Sequence, residues 1–547
     1  MNLKILNYKK IDWFSVVFPF IIIVYGLLIV INANFSAIDD YVFVDNLLKG
    51  KPLPIDSFVL PEVGRFFPLL GFEYNFVALF STSPYFFFGF NSIQFFIVVY
   101  LIYYLLKDYI KDKKVIFFVI LILIFLPSFV SSWHRLLLSE RNVFFLLILF
   151  LIFFLKYQKD QKPLYIILSL IFANIALYYK EPVFLMLGSF AFFHLLFGWK
   201  ELNPKQKLLD YLLIVSSFIF IVLYFFIVYI NKGETPYGAT EAQWILNFLK
   251  NSFRYSMYEP IIFFIILPAI ILRIHEILIL KEKKPDIFHD SLLFSTFFYL
   301  SIFLFYLKFF SHYYLLPIYA FGLLPILYYF KELYKKMLFK FLFSLTLLII
   351  LINGIPTTLH LLSLYKSMQV NFQNTIDFLV SYIKDNSGNE KRLSIFLYNT
   401  DFSSGAHNFT SYEKFLEFRG LNHHEFDLKA NVGGFQLLKY IKENKNSPYT
   451  YAREFEPSTI ESGDIVIITP FMQSFVSLDK REIKEMLKDY DLLFHADSIP
   501  EIPELNIVSL AKYYLYKKYE KELRDTKVMS NSNVFFYPID FYVLRKK

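Results

Sequence analysis

The sequence predicts a polytopic α-helical membrane protein of about eleven transmembrane helices with a small extracytoplasmic α/β domain at its C-terminal end. Three observations carry this. Hydrophobic residues make up 56% of the chain, against about 45–50% in soluble globular proteins. They gather in runs long enough for a helix to cross about 30 Å of hydrocarbon, which takes around 20 residues. The segments between the runs are alternately rich and poor in Lys, the pattern that orients multi-pass proteins.

The expected spans cover about 13–33, 84–106, 115–130, 142–156, 163–179, 182–198, 209–230, 260–280, 291–308, 313–330 and 341–360. Lys4, Lys9 and Lys10 precede the first. On the same side come Lys107, Lys111, Lys113 and Lys114, then Lys156, Lys159 and Lys162, then Lys200, Lys205 and Lys207. Two further groups follow: Lys281, Lys283 and Lys284, and Lys331, Lys335, Lys336 and Lys340. The positive-inside rule puts these segments and the N-terminus in the cytoplasm of an inner-membrane protein, and an odd span count puts the C-terminal part outside. The net charge of +8 thus reads as an orientation signal rather than as a nucleic-acid footprint. With no cysteine, disulfides and thiolate metal sites are excluded. No small-residue cleavage site follows the first run, which is expected to stay as an anchor. The 69 Phe and 41 Tyr are expected mainly as lipid-facing bulk.

Two outer segments are long, about 34–83 and 231–259, and long ordered loops tend to be functional. The first, with Pro52, Pro54 and Pro61, should lie along the membrane as short interfacial helices. Residues 1–360 are expected to form the membrane domain and 361–547 the α/β domain. In the latter, Arg392–Asn399 and Asp464–Thr469 read as strands. Asp479 to Glu482 opens a helix running to about Lys488, and 533–544 reads as closing strands with Pro538 at a bulge or edge.

The outer segments also carry the chemistry. Asp39 and Asp40 stand just beyond the first span. Adjacent carboxylates repel, which raises one pKa and suits a general base; the plain alternative is a solvated helix start. The second outer segment holds His134, Arg135, Glu140 and Arg141, a set able to bind a metal or a phosphate, or simply to pair locally. Lys180 and Glu181 sit between two spans with almost no loop, a placement that suits capture of a lipid-linked phosphate. Lys308 and His312 open a later span, where positive charge opposes the helix dipole unless an anion is present. Charged groups recurring on one face of a bundle mark a site, whereas the inner segments carry Lys-dominated positioning charge.

With these residues in view, the chain resembles the GT-C superfamily of integral membrane glycosyltransferases, which use sugars carried on polyprenyl phosphates. Asp39-Asp40 stands where that family places an acidic doublet in a large first outer loop. His312–Pro317 (HYYLLP) looks like the Tyr-Leu-x-Pro element of the branch that modifies lipid A or proteins. The resemblance implies transfer of a single sugar from a polyprenyl-phosphate carrier to a hydroxyl of a cell-surface glycan, lipid or protein, with inversion. Asp39 or Asp40 would be the base, and Lys180, Arg135, Arg141 and His312 would receive the donor phosphate. A divalent cation (Mg or Mn) would be held by Asp40 and Glu140. Glu62, Arg65 and Glu73 would shape an acceptor cleft, or else form an ion-pair network. The chain departs from the family in lacking a Trp-Trp-Asp motif, in an Glu-Arg second acidic motif in place of Asp-x-Asp, and in an expected span count of eleven rather than thirteen. A transporter, flippase or polymerase of lipid-linked saccharides is the alternative. Against it stand the absence of internal repeats and the isolation of the polar residues His194, Asn174 and Ser217 within spans. No nucleic-acid partner is implied.

Overall fold

A computed structural model describes residues 13–61, 64–231, 244–307, 310–386, 392–398, 402–422, 424–430, 459–470, 480–511, 514 and 539–547. Helix occupies most of each expected stretch, although residues 313–317 form a turn and Phe125 and Leu126 a break. The first is α1 (Trp13–Val30). The loop after it holds two short helices, α2 (Tyr41–Asp45) and α3 (Glu73–Ala78), around the hairpin β1 (Val59–Leu60) and β2 (Arg65–Phe66). Then come α4 (Pro84–Leu106), α5 (Lys113–Ile124), α6 (Pro127–Trp133), α7 (Ser139–Asp160), α8 (Pro163–Tyr179), α9 (Val183–Gly198) and α10 (Pro204–Tyr224). Proline opens α4, α6, α8 and α10, where its missing N–H costs nothing. Asn203 adds a capping box with Gln206. Pro127 also breaks the third stretch: α5 and α6 meet at 69°, because proline removes a helical hydrogen bond and clashes with the preceding turn.

The bundle continues through α11 (Trp244–Tyr258), α12 (Leu267–Ile274), α13 (His289–Ser301), α14 (Ile318–Lys335), α15 (Met337–Ile349) and α16 (Ile355–Asn386). Among the described residues, six helices are long and apolar enough to cross a membrane, seven if the bent pair is one span, and three apolar helices are shorter. The chain is therefore a helical membrane protein. The aromatic excess is not mainly lipid-facing: Phe20, Phe86 and Phe226 are exposed, but Phe87, Phe88, Phe95 and Phe129 are fully buried, with Phe87 tilted against Phe43 and Phe95 edge-on to Phe129. His194 and Asn174 within spans are not isolated either. His194 Nδ1 lies 2.7 Å from Asp210 and Asn174 donates to Ser216 at 3.2 Å, whereas the buried Ser217 hydroxyl has no partner among the described residues, as expected. Nor is the Lys-rich side merely positioning charge, since Arg273 grips Asp290 through two hydrogen bonds (2.8 and 2.7 Å) and reaches Glu276 at 3.0 Å.

Helices α15 and α16 form one unbroken helix of 50 residues, Met337–Asn386, about 75 Å long. That exceeds the hydrocarbon thickness more than twofold, so much of it stands in the polar layer, and its composition agrees. Thr358 bonds Phe125 O at 2.7 Å, across the α5–α6 break. Lys366 donates to Ile29 O (3.1 Å) and Ile31 O (2.7 Å) at the end of α1. Gln369 holds His134 O at 2.9 Å and Gln373 holds Phe35 O at 3.0 Å.

The last part of the chain builds a five-stranded sheet from β3 (Leu393–Leu397), β4 (Phe426–Ala430), β5 (Ile465–Ile468), β6 (Tyr490–Ala496) and β7 (Phe541–Lys546), in the order β4-β3-β5-β7-β6. Strand β3 runs parallel to β4 and β5, and β7 antiparallel to β5 and β6. The helix α17 (Phe402–Phe418) supplies the crossover that the parallel pair β3 and β4 requires. The expected strands at Arg392–Asn399 and Asp464–Thr469 are present, as is the short helix Lys480–Met486. Pro538 lies outside the described residues. The sheet docks on α16, where Ser367 bonds Ile539 O and Ser363 bonds Pro500 O.

Lys366→Met keeps the length of the side chain but leaves one buried carbonyl unanswered, at about 1–3 kcal/mol, and one partly buried carbonyl besides. The thermal midpoint of the purified protein should fall clearly, and an unchanged midpoint would show that α16 does not secure α1.

Candidate functional site

Asp39 and Asp40 separate functionally at the backbone. Asp39 has φ +68°, a left-handed conformation that Asp tolerates better than most residues. That turn sends the two carboxylates apart. Asp40 is buried (2% exposed) and accepts the Ser36 N–H at 2.7 Å. Asp39 keeps 30% of its side chain exposed and pairs with Arg135 Nη2 at 2.8 Å. Burial pushes the Asp40 carboxyl up to about 8, helped by the neighbouring Asp39 and opposed by the Ser36 N–H and Arg135. Asp40 is thus closed in, and Asp39 carries the more accessible carboxylate of the two.

Arg135 leaves the bend between α6 and α7, and its guanidinium faces the rings of Tyr313 (5.7 Å) and Tyr365 (6.0 Å). Lys180, at the tight turn after α8, lies 3.0 Å from Glu140 of α7 and 5.0 Å from the Tyr314 ring. The rings of Tyr313 and Tyr314 are 4.9 Å apart, and Tyr313 lies within electrostatic reach of Arg135, Glu140 and Lys180 together. The two ion pairs thus border one aromatic step. They differ in access: Glu140 is 1% exposed and Lys180 8%.

The other expected residues are less open. Arg141 is fully buried; it binds Glu73 at 2.9 Å and the carbonyls of Arg135 (3.3 Å) and Leu136 (3.4 Å). Glu73 also accepts from Asn142 (2.6 Å) and Tyr179 (2.9 Å), so both its oxygens are engaged. Arg65 pairs with Glu181 at 3.1 Å, and the same carboxylate oxygen accepts Phe66 N–H at 2.9 Å, pinning the β1–β2 hairpin to the α8–α9 turn. Burial opposes ionisation of Glu181, but Arg65, Lys180 and the Phe66 N–H outweigh it and hold its carboxyl below the ordinary range. The His312 ring packs edge-on against Tyr258 (4.7 Å) and Phe310 (4.9 Å); it is the next two residues, Tyr313 and Tyr314, that face the cations. Glu62 and Lys308 lie outside the described residues.

Asp40 and Glu140 each have a local partner, and among the described residues no group of three or more His, Asp or Glu could hold a metal ion. Tyr313 and Tyr314 lie in the HYYLLP stretch noted in the sequence, but Tyr365 carries no signal among 41 tyrosines and was missed. Reading the sequence also missed Asn91 and Gln369, whose signal was amide side chains in otherwise apolar or long helical stretches.

A raised acid favours folding only while it is protonated. The unfolded Asp40 ionises near 3.8 and the folded one near 8, so its contribution is full below pH 4 and is lost as pH climbs through 8. Asp40→Asn should therefore gain in thermal midpoint over the wild type on going from about pH 5 to about pH 9. A difference independent of pH would mean that Asp40 is ionised when folded.

No family model matches the chain, and no curated protein does. Among solved structures, it is similar to ArnT from Cupriavidus metallidurans bound to undecaprenyl phosphate, with 9% identity, a TM-score of 0.45, and coverage of 89% of this chain and 97% of that one.

Proposed function

We propose that the chain is a membrane glycosyltransferase that moves one sugar from a polyprenyl-phosphate carrier to a hydroxyl of a cell-surface glycan, lipid or protein. The observation that carries the reading is the pair of cations, Arg135 and Lys180, set against adjacent tyrosines with an accessible carboxylate, Asp39, beside one of them. A phosphate headgroup asks for two such cations at the edge of a bilayer. The remaining architecture belongs to the same proposal: eleven spans, a membrane part up to about residue 360 and an extracytoplasmic part beyond it, with the N-terminus in the cytoplasm of an inner membrane.

The difference in access suggests an order of events. The Lys180–Glu140 pair is closed in and stays together, because separating a buried pair is costly. The Arg135–Asp39 pair has one open partner, so an arriving phosphate can take over Arg135 and shift Asp39 towards the acceptor hydroxyl. That hydroxyl oxygen then attacks the anomeric carbon while the bond from that carbon to the phosphate oxygen breaks. The phosphate leaves with the electron pair, its charge met by Arg135 and Lys180, and the proton passes to Asp39. Nothing in this sequence of steps is routed through a divalent cation. Removing chelatable metal should accordingly leave transfer unchanged.

Cells lacking the chain should accumulate a polyprenyl-linked single sugar together with an unglycosylated surface product. The wild type should clear that donor. Asp39→Asn, which suits the same backbone conformation, should slow clearance by about 10²–10⁴-fold, and Lys180→Ala should weaken donor binding. The reading falls if no lipid-linked sugar accumulates, or if Asp39→Asn clears it at the wild-type rate.

A further inference from the structure

Four consecutive carbonyls in the bend between α6 and α7 each receive a side chain. Asn91 reaches Trp133 O and Arg135 O (both 3.4 Å), Gln369 reaches His134 O (2.9 Å), and Tyr74 reaches Leu136 O (3.2 Å). Arg141 adds a second donor to the carbonyls of Arg135 and Leu136. The backbone that carries the Arg135 guanidinium is therefore fixed from four helices. Arg141 is itself fixed by Glu73, whose other oxygen takes the hydroxyl of Tyr179, the residue immediately before Lys180. One carboxylate thus connects the backbone under Arg135 to the backbone under Lys180.

We infer that Glu73 is a positioning residue that sets the spacing between Arg135 and Lys180, and so the size of the anionic headgroup the two can share. This rests on the function proposed above. Glu73 and Arg141 contact neither sugar nor phosphate in this account. Arg141 is consumed by carbonyls and a carboxylate, so the cations that meet the headgroup are Arg135 and Lys180. A single phosphate needs its cations close and convergent; a diphosphate spans a longer gap. Tyr179 contributes the link to the Lys180 side, Arg141 the link to the Arg135 side, and loosening either side changes the gap without removing a cation.

The test uses the full chain in lipid nanodiscs, with undecaprenyl phosphate and undecaprenyl diphosphate as probes and binding read by titration. Glu73→Gln is the direct variant, but it strips the buried Arg141 of its counter-charge and invites misfolding. Tyr179→Phe removes only one hydroxyl and keeps the ring. The wild type should bind the monophosphate more tightly. In Tyr179→Phe the ratio of the two Kd values should shift towards the diphosphate by roughly three- to tenfold, the scale of one hydrogen bond, with a small fall in the thermal midpoint. Equal weakening for both probes, or an unchanged ratio, would overturn the spacing role while leaving the proposed function standing. A wild type that binds neither probe would remove the proposed function and this inference with it.

Discussion

Irregular backbone at the edge of a bilayer has little water to bond with, and every N–H and carbonyl there has to find a partner in the protein. The fold is organised around that requirement. The end of α1, the break between α5 and α6, the bend at Trp133–Leu136 and the loop carrying Asp39 all present carbonyls that helix geometry cannot answer. Side chains of α16 answer most of them: Thr358, Lys366, Gln369 and Gln373 each take one or two. A helix so rich in buried polar groups would be costly in a purely apolar core. Here each group meets a complementary carbonyl, so the same residues that would weaken a lipid-embedded helix fix the loops around the site.

The electrostatics follow from that rigidity. Buried ion pairs return their desolvation cost only when geometry is good and the remaining valences are filled. Glu73 meets this with three donors, Arg273 with three hydrogen bonds to two carboxylates. Arg135 is the contrasting case: its partner Asp39 is partly open, held in a left-handed turn, and next to a second carboxyl kept neutral by burial. Between the two acids, the backbone turn divides the labour. One closes the loop and the other stays partly exposed beside Arg135.

Much of this was legible in the sequence. Length and apolarity located the helical stretches, because twenty consecutive apolar residues have few other solutions. The acidic doublet, Arg135, Lys180 and Glu140 stood out as charges beside apolar runs. What sequence could not give was choice among equals. Nothing in Asp39-Asp40 says which carboxylate turns inward; that depends on a single φ angle. Arg141 and Arg135 look alike in the sequence, but only a long-range carboxylate, Glu73, decides that one is interior. The Lys-rich side looked like plain orientation charge because Asp290, which Arg273 grips together with its helical neighbour Glu276, lies 17 residues further on. Strands β4 and β6, the two edges of the sheet, escaped notice since neither alternates cleanly.

Among the described strands β7 is the last along the chain, yet it lies between β5 and β6. During synthesis β3, β4 and β5 can pair as they emerge, but β6 has no strand partner until β7 has been made. The contact from Ser367 to Ile539 spans 172 residues, so α16 also waits for the same arrival before its polar face is covered. Closure of the sheet is consequently a late, long-range event, of the kind that is slow because chain entropy is spent before any pairing rewards it. The unpaired edge of β6 in that interval is where a nascent chain of this protein is most exposed to joining the wrong neighbour.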